Sequence, residues 1–328
     1  MAGIDMLVYK TNVEVPLPKP DEVLIHVKAA GINNTDINTR IGWYSKSVTS
    51  DTNKGGASGL VDAKKEDSSW SGKPLKFPLI QGADVYGEIA KVGSDINPKR
   101  IGERVLVRTL QENPYTSEKS CWTLGSECNG GFAQYTAVRS SEAFVINSDW
   151  SATDLGSIPC AYSTAEGLLH RAKVEKETVL INGASGGVGS AAIQLAKLRG
   201  ATVIAQCAVE KREEVLQIGA DKIVFRNSDL LYEVGSNAVD VVIDLVGGPK
   251  WTDLLEILKP CGKYVTSGAI AGPIVELDLR TLYLKDLTLY GCTFHPKEVF
   301  LNLIKYIEQN KIKPLVAKSY PLKKIKKA

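Results

Sequence analysis

Four glycines fall within seven residues in the run Val179-Leu180-Ile181-Asn182-Gly183-Ala184-Ser185-Gly186-Gly187-Val188-Gly189. The apolar, β-branched residues before them read as a strand and residues 189–199 as a helix, so the glycines occupy a strand-to-helix turn. Such a turn suits one chemistry. Backbone without side chains can approach a pyrophosphate, and the first turn of the helix points free amides and its positive dipole end at the phosphates. Gly183, Ala184, Ser185, Gly186, Gly187, Val188 and Gly189 are therefore candidate contacts for a dinucleotide, with Gly189 allowing close helix-on-strand packing. A turn without a ligand rarely needs glycines whose chain-entropy cost is this high.

Which dinucleotide is read at the end of the next strand, where NAD-binding proteins commonly place Asp or Glu against the ribose hydroxyls. Here the stretch is Ala205-Gln206-Cys207-Ala208, followed within a turn by Lys211 and Arg212. A 2′-phosphate would meet positive charge there, which favours NADP(H). The plainer reading makes Lys211 and Arg212 a solvated helix face offset by Glu210 and Glu213. Leu245-Val246-Gly247-Gly248 and Ser267-Gly268-Ala269 follow further predicted strands, so Val246, Gly247 and Gly268 are expected to flank the cofactor.

The elements that must hold these residues have the sizes of a layered α/β protein. Residues 178–181, 202–205, 222–224 and 239–244 read as strands, alternating with helices at 189–199 and 211–218. That alternation predicts a doubly wound parallel sheet with helices on both faces. Before it, Ser151 and Asp154 can cap a helix and 164–172 reads as a second one, which places a domain boundary near 150. The first third is different in kind. Strand-like runs at 23–30, 85–92 and 104–107, with proline- and glycine-marked turns, predict a small β barrel or sandwich. Residues 45–76 lack an apolar period and contain Gly55, Gly56 and Gly59, so they read as a long surface loop.

A chain of 328 residues is long enough for two domains of the usual ~150 and a cleft. Its 44% hydrophobic and 23% charged content is that of a globular protein, and no run nears the ~20 apolar residues that cross a bilayer. Residues 1–8 do not read as a secretory signal, so the cytoplasm is the expected location. Six cysteines, at 121, 128, 160, 207, 261 and 292, are too sparse for a disulfide scaffold and are expected to be reduced. The net charge of +3 rests largely on Lys318, Lys323, Lys324, Lys326 and Lys327, which form either a solvated terminal helix face or a basic interaction patch. Nucleic acid is not indicated, because no aromatic residues are interleaved to stack bases.

Several further runs resemble the medium-chain dehydrogenase/reductase superfamily, in particular its zinc-independent quinone oxidoreductase-like branch. They are Gly31-Ile32-Asn33-Asn34-Thr35-Asp36 with Arg40-Ile41-Gly42-Trp43-Tyr44, then Gln81-Gly82-Ala83-Asp84-Val85-Tyr86-Gly87, Gly102-Glu103-Arg104-Val105, Gly131-Phe132-Ala133-Gln134-Tyr135 and the 183–189 turn. The resemblance spans nearly the whole chain. It implies a GroES-like (chaperonin-10-like) β barrel over 1–149 with an insertion at 45–76, a Rossmann domain over 150–292, and a C-terminal return to the first domain over 293–328. It also implies a strand before residue 4 and a helix and strand after 328, which this sequence does not show. Leu287-Thr288-Leu289-Tyr290-Gly291-Cys292 resembles the last Rossmann strand, which pairs with its copy in a homodimer. Gly291 and Cys292 would then reach the nicotinamide, and Thr164 is expected at the cofactor.

In zinc-bearing relatives a Cys stands at Asn33 and a His-Glu pair at Ala83-Asp84; only Cys160 matches the third ligand. One thiol beside a carboxylate does not supply the three ligands of a catalytic zinc, and Cys121 and Cys128 do not make a structural one, so no bound metal is expected. His26, His170 and His295 match no metal pattern. Hydride transfer from NADPH to a quinone or an α,β-unsaturated carbonyl is the chemistry that then follows, since such acceptors delocalise the developing charge themselves. The resemblance places Asn33, Tyr44 and Tyr135 in the pocket, with Tyr44 either a hydrogen-bond donor to the acceptor oxygen or an aromatic wall. Asp36 and Arg40, four apart, are expected to form a structural ion pair. The 45–76 insertion is a lid, a disordered loop or a partner-binding loop, and Trp70 either anchors it or stacks on substrate. The competing functions are an alcohol dehydrogenase-like carbonyl/alcohol oxidoreductase and a non-catalytic NADP-binding sensor or scaffold.

Overall fold

A computed structural model describes residues 3–115 and 121–328. The chain forms two compact units, one of Met1–Val48, Lys54–Cys160 and Phe300–Ala328, the other of Thr49–Asn53 and Ala161–Val299.

In the first unit, β1 (Glu22–Ala29), β2 (Tyr86–Val92), β3 (Arg104–Val107), β6 (Tyr135–Arg139) and β7 (Ala143–Val145) make an antiparallel sheet in the order β6-β1-β2-β3-β7; a separate pair joins β4 (Leu110–Glu112) to β5 (Cys121–Thr123). Register shifts between β1 and β2 at Leu24/Ile25 and Val27/Ala29 bend the sheet, as bulges do. Val23, Ile25, Val85, Ile89, Val105, Val107 and Val138 fill the space it encloses. The β-branched runs seen in the sequence are thus buried barrel core.

Helix α1 (Asn34–Ile41) begins at Asn33 and ends at Gly42, whose φ of +84° is the left-handed turn that glycine adopts freely. The expected ion pair of Asp36 with Arg40 does not form among the described residues. Asp36 turns inward, where its carboxyl accepts from the Asn33 and Ala83 N–H groups at 2.9 Å each, while Arg40 Nη2 reaches the Gly56 carbonyl. Two buried amides outbid an exposed surface pair, which is worth little.

Residues 45–76 are also more ordered than their composition predicts. Val48 and Leu60 are buried against Ile41, with Trp43 and Ala63 packed around them, and Asp67 ties Ser45 Oγ (2.7 Å) to the Lys46 N–H (2.9 Å). The segment carries a core of its own. Its apolar residues are spaced by turns rather than by a helical or strand period, so periodicity did not show them.

The second unit is a six-stranded parallel sheet in the order β10-β9-β8-β11-β12-β13, formed by β8 (Thr178–Asn182), β9 (Thr202–Cys207), β10 (Lys222–Phe225), β11 (Val239–Asp244), β12 (Leu258–Thr266) and β13 (Thr288–Gly291). This is the doubly wound α/β sheet that the alternation predicts. Its order reverses between β8 and β11, which makes their carboxyl ends the switch point where such sheets bind ligands. Leu180, Ile204, Val224, Val242, Leu254 and Trp251 pack one of its cores.

The dividing points differ from 150 and 292. Helix α2 (Ala152–Gly156), capped by Ser151 Oγ, belongs to the barrel: the Gly31 N–H donates to the Gly156 carbonyl at 2.7 Å, and a Cβ at Gly156 would meet Ala29 Cβ at 2.6 Å. Helix α3 begins earlier than 164, at Pro159–Ala172, because proline is at home in a helix's first turn. The basic residues near the C-terminus lie exposed on a short 3-10 segment, Leu322–Lys327, in place of an α-helix.

Candidate functional site

At the switch point of the second unit, the glycines form the turn between β8 and the next helix. Gly183 has φ +83°, which turns the chain out of β8, and the Ala184 N–H donates to the Gln206 carbonyl at 3.1 Å. Helix α4 (Gly187–Leu198) follows with Gly186 as its N-cap. A Cβ on Gly189 would collide with the Gly183 carbonyl oxygen and sit 2.7 Å from Ala184 Cα, so the turn and helix touch there. At Gly186 the same test meets only the Gly183 oxygen at 3.6 Å, and at Gly187 only Ala161 Cβ at 3.5 Å. Those two glycines, with exposed Ser185 and half-buried Val188, leave open space over first-turn amides that have no partner within the helix. A dinucleotide pyrophosphate fits this cradle.

One residue of this region escaped the sequence reading. Asp244, fully buried at the end of β11, accepts from Asn182 Nδ2 (2.9 Å), the Val246 N–H (2.9 Å), the Gly247 N–H (3.1 Å) and the Tyr264 hydroxyl (2.6 Å). It fixes the residue before the glycine turn and the loop expected to flank the cofactor. A lone acid closing the apolar run Val-Val-Ile-Asp before Gly247-Gly248 was the available signal. Gly268 lies in a turn closed by Thr266 Oγ1 on the Gly268 carbonyl at 3.1 Å, and Gly291 ends β13 with open space at its Cα. Thr164 is half-buried on α3. Cys292 is packed inward, its Sγ 3.5 Å from where a Cβ on Gly167 would stand, and burial raises its thiol pKa.

Where the ribose would be read, β9 ends in Gln206 and Cys207 with no carboxylate. Lys211 closes the 3-10 turn Val209–Lys211 and Arg212 opens helix α5 (Arg212–Gln217). Both already have partners: Lys211 Nζ lies 2.9 Å from Glu214, and Arg212 pairs with Glu213. These are exposed pairs of the kind worth ~0–1 kcal/mol, easily exchanged for a phosphate.

In the barrel unit, Asn33 and Tyr44 flank α1. Asn33 Nδ2 donates to Asp84 Oδ2 at 2.8 Å, and the Cys160 N–H donates to Asp84 Oδ1 at 2.6 Å. Burial pushes the Asp84 carboxyl up to about 8, with the Asp36 charge a lesser contributor, and burial pushes Asp36 up to about 7. Tyr44 is half-buried, its hydroxyl 2.9 Å from Thr35 Oγ1 and its ring 4.8 Å from that of Trp70. Burial raises its phenol pKa above the usual range. Tyr135 is placed apart from them. It faces outward on β6 and stacks on His26 of β1 at 4.9 Å, with no contact to Asn33 or Tyr44 among the described residues.

A catalytic zinc requires three deprotonated protein ligands and an open position. At the corresponding place stand an amide already donating to Asp84, an alanine, a carboxyl whose pKa burial raises, and a Cys160 thiol whose pKa burial raises well above its ordinary value. This donor set does not fit zinc. No group of three His, Cys, Asp or Glu side chains that could hold a metal occurs among the described residues.

The description "Alcohol dehydrogenase GroES-like domain" matches residues 19–148, and "Zinc-binding dehydrogenase" matches residues 187–309. A solved structure of a "putative alcohol dehydrogenase" from Sinorhizobium meliloti 1021 is 42% identical, covers 99% of this chain and 89% of its own, and superposes with a TM-score of 0.86. The chain belongs to the medium-chain dehydrogenase/reductase superfamily. Within this oxidoreductase superfamily it is similar to the quinone oxidoreductase of Homo sapiens, at 27% identity over 99% of this chain and 89% of the relative. It is also similar to the acryloyl-coenzyme A reductase of Metallosphaera sedula, at 28% identity over 96% and 90%. The superfamily binds nicotinamide dinucleotides. Among the described residues, no helix is long and apolar enough to cross a membrane.

Proposed function

We propose that the protein is a zinc-independent, NADPH-dependent reductase of quinones or α,β-unsaturated carbonyl compounds. The observation that carries this reading is the donor set at the metal position, where the Asn33 amide and the Cys160 backbone N–H both donate to Asp84 and burial raises the Cys160 thiol pKa well above its ordinary value. Without a Lewis acid at the acceptor oxygen, the acceptor must itself spread the developing negative charge, as a conjugated carbonyl or quinone does. The relatives named as quinone oxidoreductase and acryloyl-coenzyme A reductase fall in those two classes.

Bound NADPH supplies the hydride. The chain's part is to bind and orient: residues 183–189 hold the pyrophosphate, Asp244 sets the Val246–Gly247 loop at the cofactor's flank, and Lys211 and Arg212 exchange their glutamates for a 2′-phosphate. Asn33 and Tyr44 line the acceptor pocket, Asn33 with its amide orientation fixed by Asp84 and Tyr44 with its hydroxyl available to an enolate-like oxygen. Thr164, Gly268 and Gly291 complete the proposed contacts, and Tyr135, stacked on His26, and the inward-packed Cys292 are left out of them. Six free cysteines suit a reducing compartment such as the cytoplasm.

A homodimer is part of the proposal. β13 is an edge strand with exposed Leu289, and Leu279, Tyr283 and Leu284 are exposed on the preceding helix. An apolar open edge is the surface a second copy covers by strand pairing. Steady-state assays with 1,4-benzoquinone and a short enone test the reading: NADPH oxidation that needs the acceptor and survives exhaustive chelation supports it, and activity that chelation abolishes and zinc restores overturns it.

A further inference from the structure

The barrel unit holds a chain of hydrogen bonds that starts in the 45–76 insertion. Trp70 Nε1–H donates to Thr35 Oγ1 at 2.7 Å, and Thr35 Oγ1 lies 2.9 Å from the Tyr44 hydroxyl. An indole N–H can only donate, so Thr35 must accept from Trp70. Thr35 Oγ1, with one lone pair taken by the indole, is then able to donate its proton to the Tyr44 oxygen 2.9 Å away. In that arrangement the Tyr44 oxygen accepts from Thr35, and Tyr44 keeps its own proton for an outside acceptor. Trp70 is firmly placed to do this. Its backbone N–H donates to Ser126 Oγ, the neighbouring Ser71 N–H donates to Glu127 Oε1 at 2.9 Å, and the Ser69 N–H closes the turn on the Lys73 carbonyl at 3.0 Å.

We infer that Trp70 is a positioning residue: the insertion sets the direction of a Trp70–Thr35–Tyr44 donor chain, so that the Tyr44 O–H points at a substrate oxygen carrying negative charge, an enolate or hydroquinone anion. This deepens the proposed reductase reading and rests on its placing Tyr44 against the acceptor.

The test uses 4-nitrophenolate as an oxyanion probe that needs no turnover, followed by its absorbance with the protein alone and with NADP+ added, alongside reductase kinetics. Trp70→Phe keeps a ring against Tyr44 and removes the N–H together with part of the indole. It is expected to weaken phenolate binding about tenfold and lower kcat about tenfold, with KM and NADPH affinity unchanged and Tm lowered by the lost packing. Thr35→Val should do the same, the double variant should be no worse than either single, and Thr35→Ser should restore wild-type behaviour. Wild-type binding by Trp70→Phe, additive losses, or a wild-type protein that ignores phenolate would each overturn the inference. If the wild type reduces neither acceptor yet the phenolate pattern appears, the reductase reading falls and the donor chain stands. Turnover unaffected in every variant gives the reverse.

Discussion

At the scale of single residues, the glycine turn and the buried carboxyls make opposite demands on substitution. Gly189 has no room for a Cβ against the Gly183 carbonyl and Ala184. Gly189→Ala is expected to cost ~2 kcal/mol or more of stability, as overpacking does, with at least a tenfold loss of NADPH affinity by fluorescence titration. Gly186→Ala meets open space in the free protein, so it should melt normally and lose only the cofactor. Asp36 and Asp84 report through pH. Their pKa values rise from 3.8 to about 7 and about 8 because burial disfavours the charged form. The folded protein therefore holds these protons more tightly than the unfolded chain. Their contribution to stability is fully present below pH ~4 and is lost as pH climbs through ~7 and ~8. Calorimetry should show Tm falling across that window, with a flatter slope for Asp84→Asn; an unchanged slope would mean that Asp84 is ionised in the fold. The glycines were legible in the sequence because turn chemistry is local. The inward turn of Asp36 was not, since its partner Ala83 is brought there by the β2 side of the barrel, and a helix-face rule sees only Arg40.

Elements differ in how far their neighbours decide them. The Rossmann strands could be read from apolar runs between glycine-marked turns, and the helices from spacing, with errors of a few residues where proline or a 3-10 turn moved an end. Residues 45–76 could not be read in this way. Their Val48 and Leu60 become core only because Ile41 of α1 stands against them, a long-range fact. Leu60→Ala is accordingly expected to destabilise by ~2–4 kcal/mol by chemical denaturation, where a solvated loop residue would change stability by less than ~0.5 kcal/mol. At β13, Leu289→Lys places a charge on an exposed apolar edge. Sedimentation should find the parent chain dimeric and the variant monomeric, and a parent that sediments as a monomer would remove the dimer from the proposal.

For the whole molecule, the division into a barrel and a doubly wound sheet was legible from the change in pattern near 150. The chain's true dividing points depend on α2 packing against β1, which no local pattern carries. The superfamily follows from fold and comparisons together; the acceptor and the cofactor preference rest on the sites. The most direct measurement is a titration of the purified protein with NADPH and NADH by nicotinamide fluorescence, followed by 1,4-benzoquinone or a short enone added to the tighter complex. NADPH should bind at least tenfold more tightly, about 1.4 kcal/mol, and be oxidised only when the acceptor is present. Equal binding of the two cofactors would contradict the role given to Lys211 and Arg212, and tight binding without oxidation of either acceptor would contradict the reductase itself.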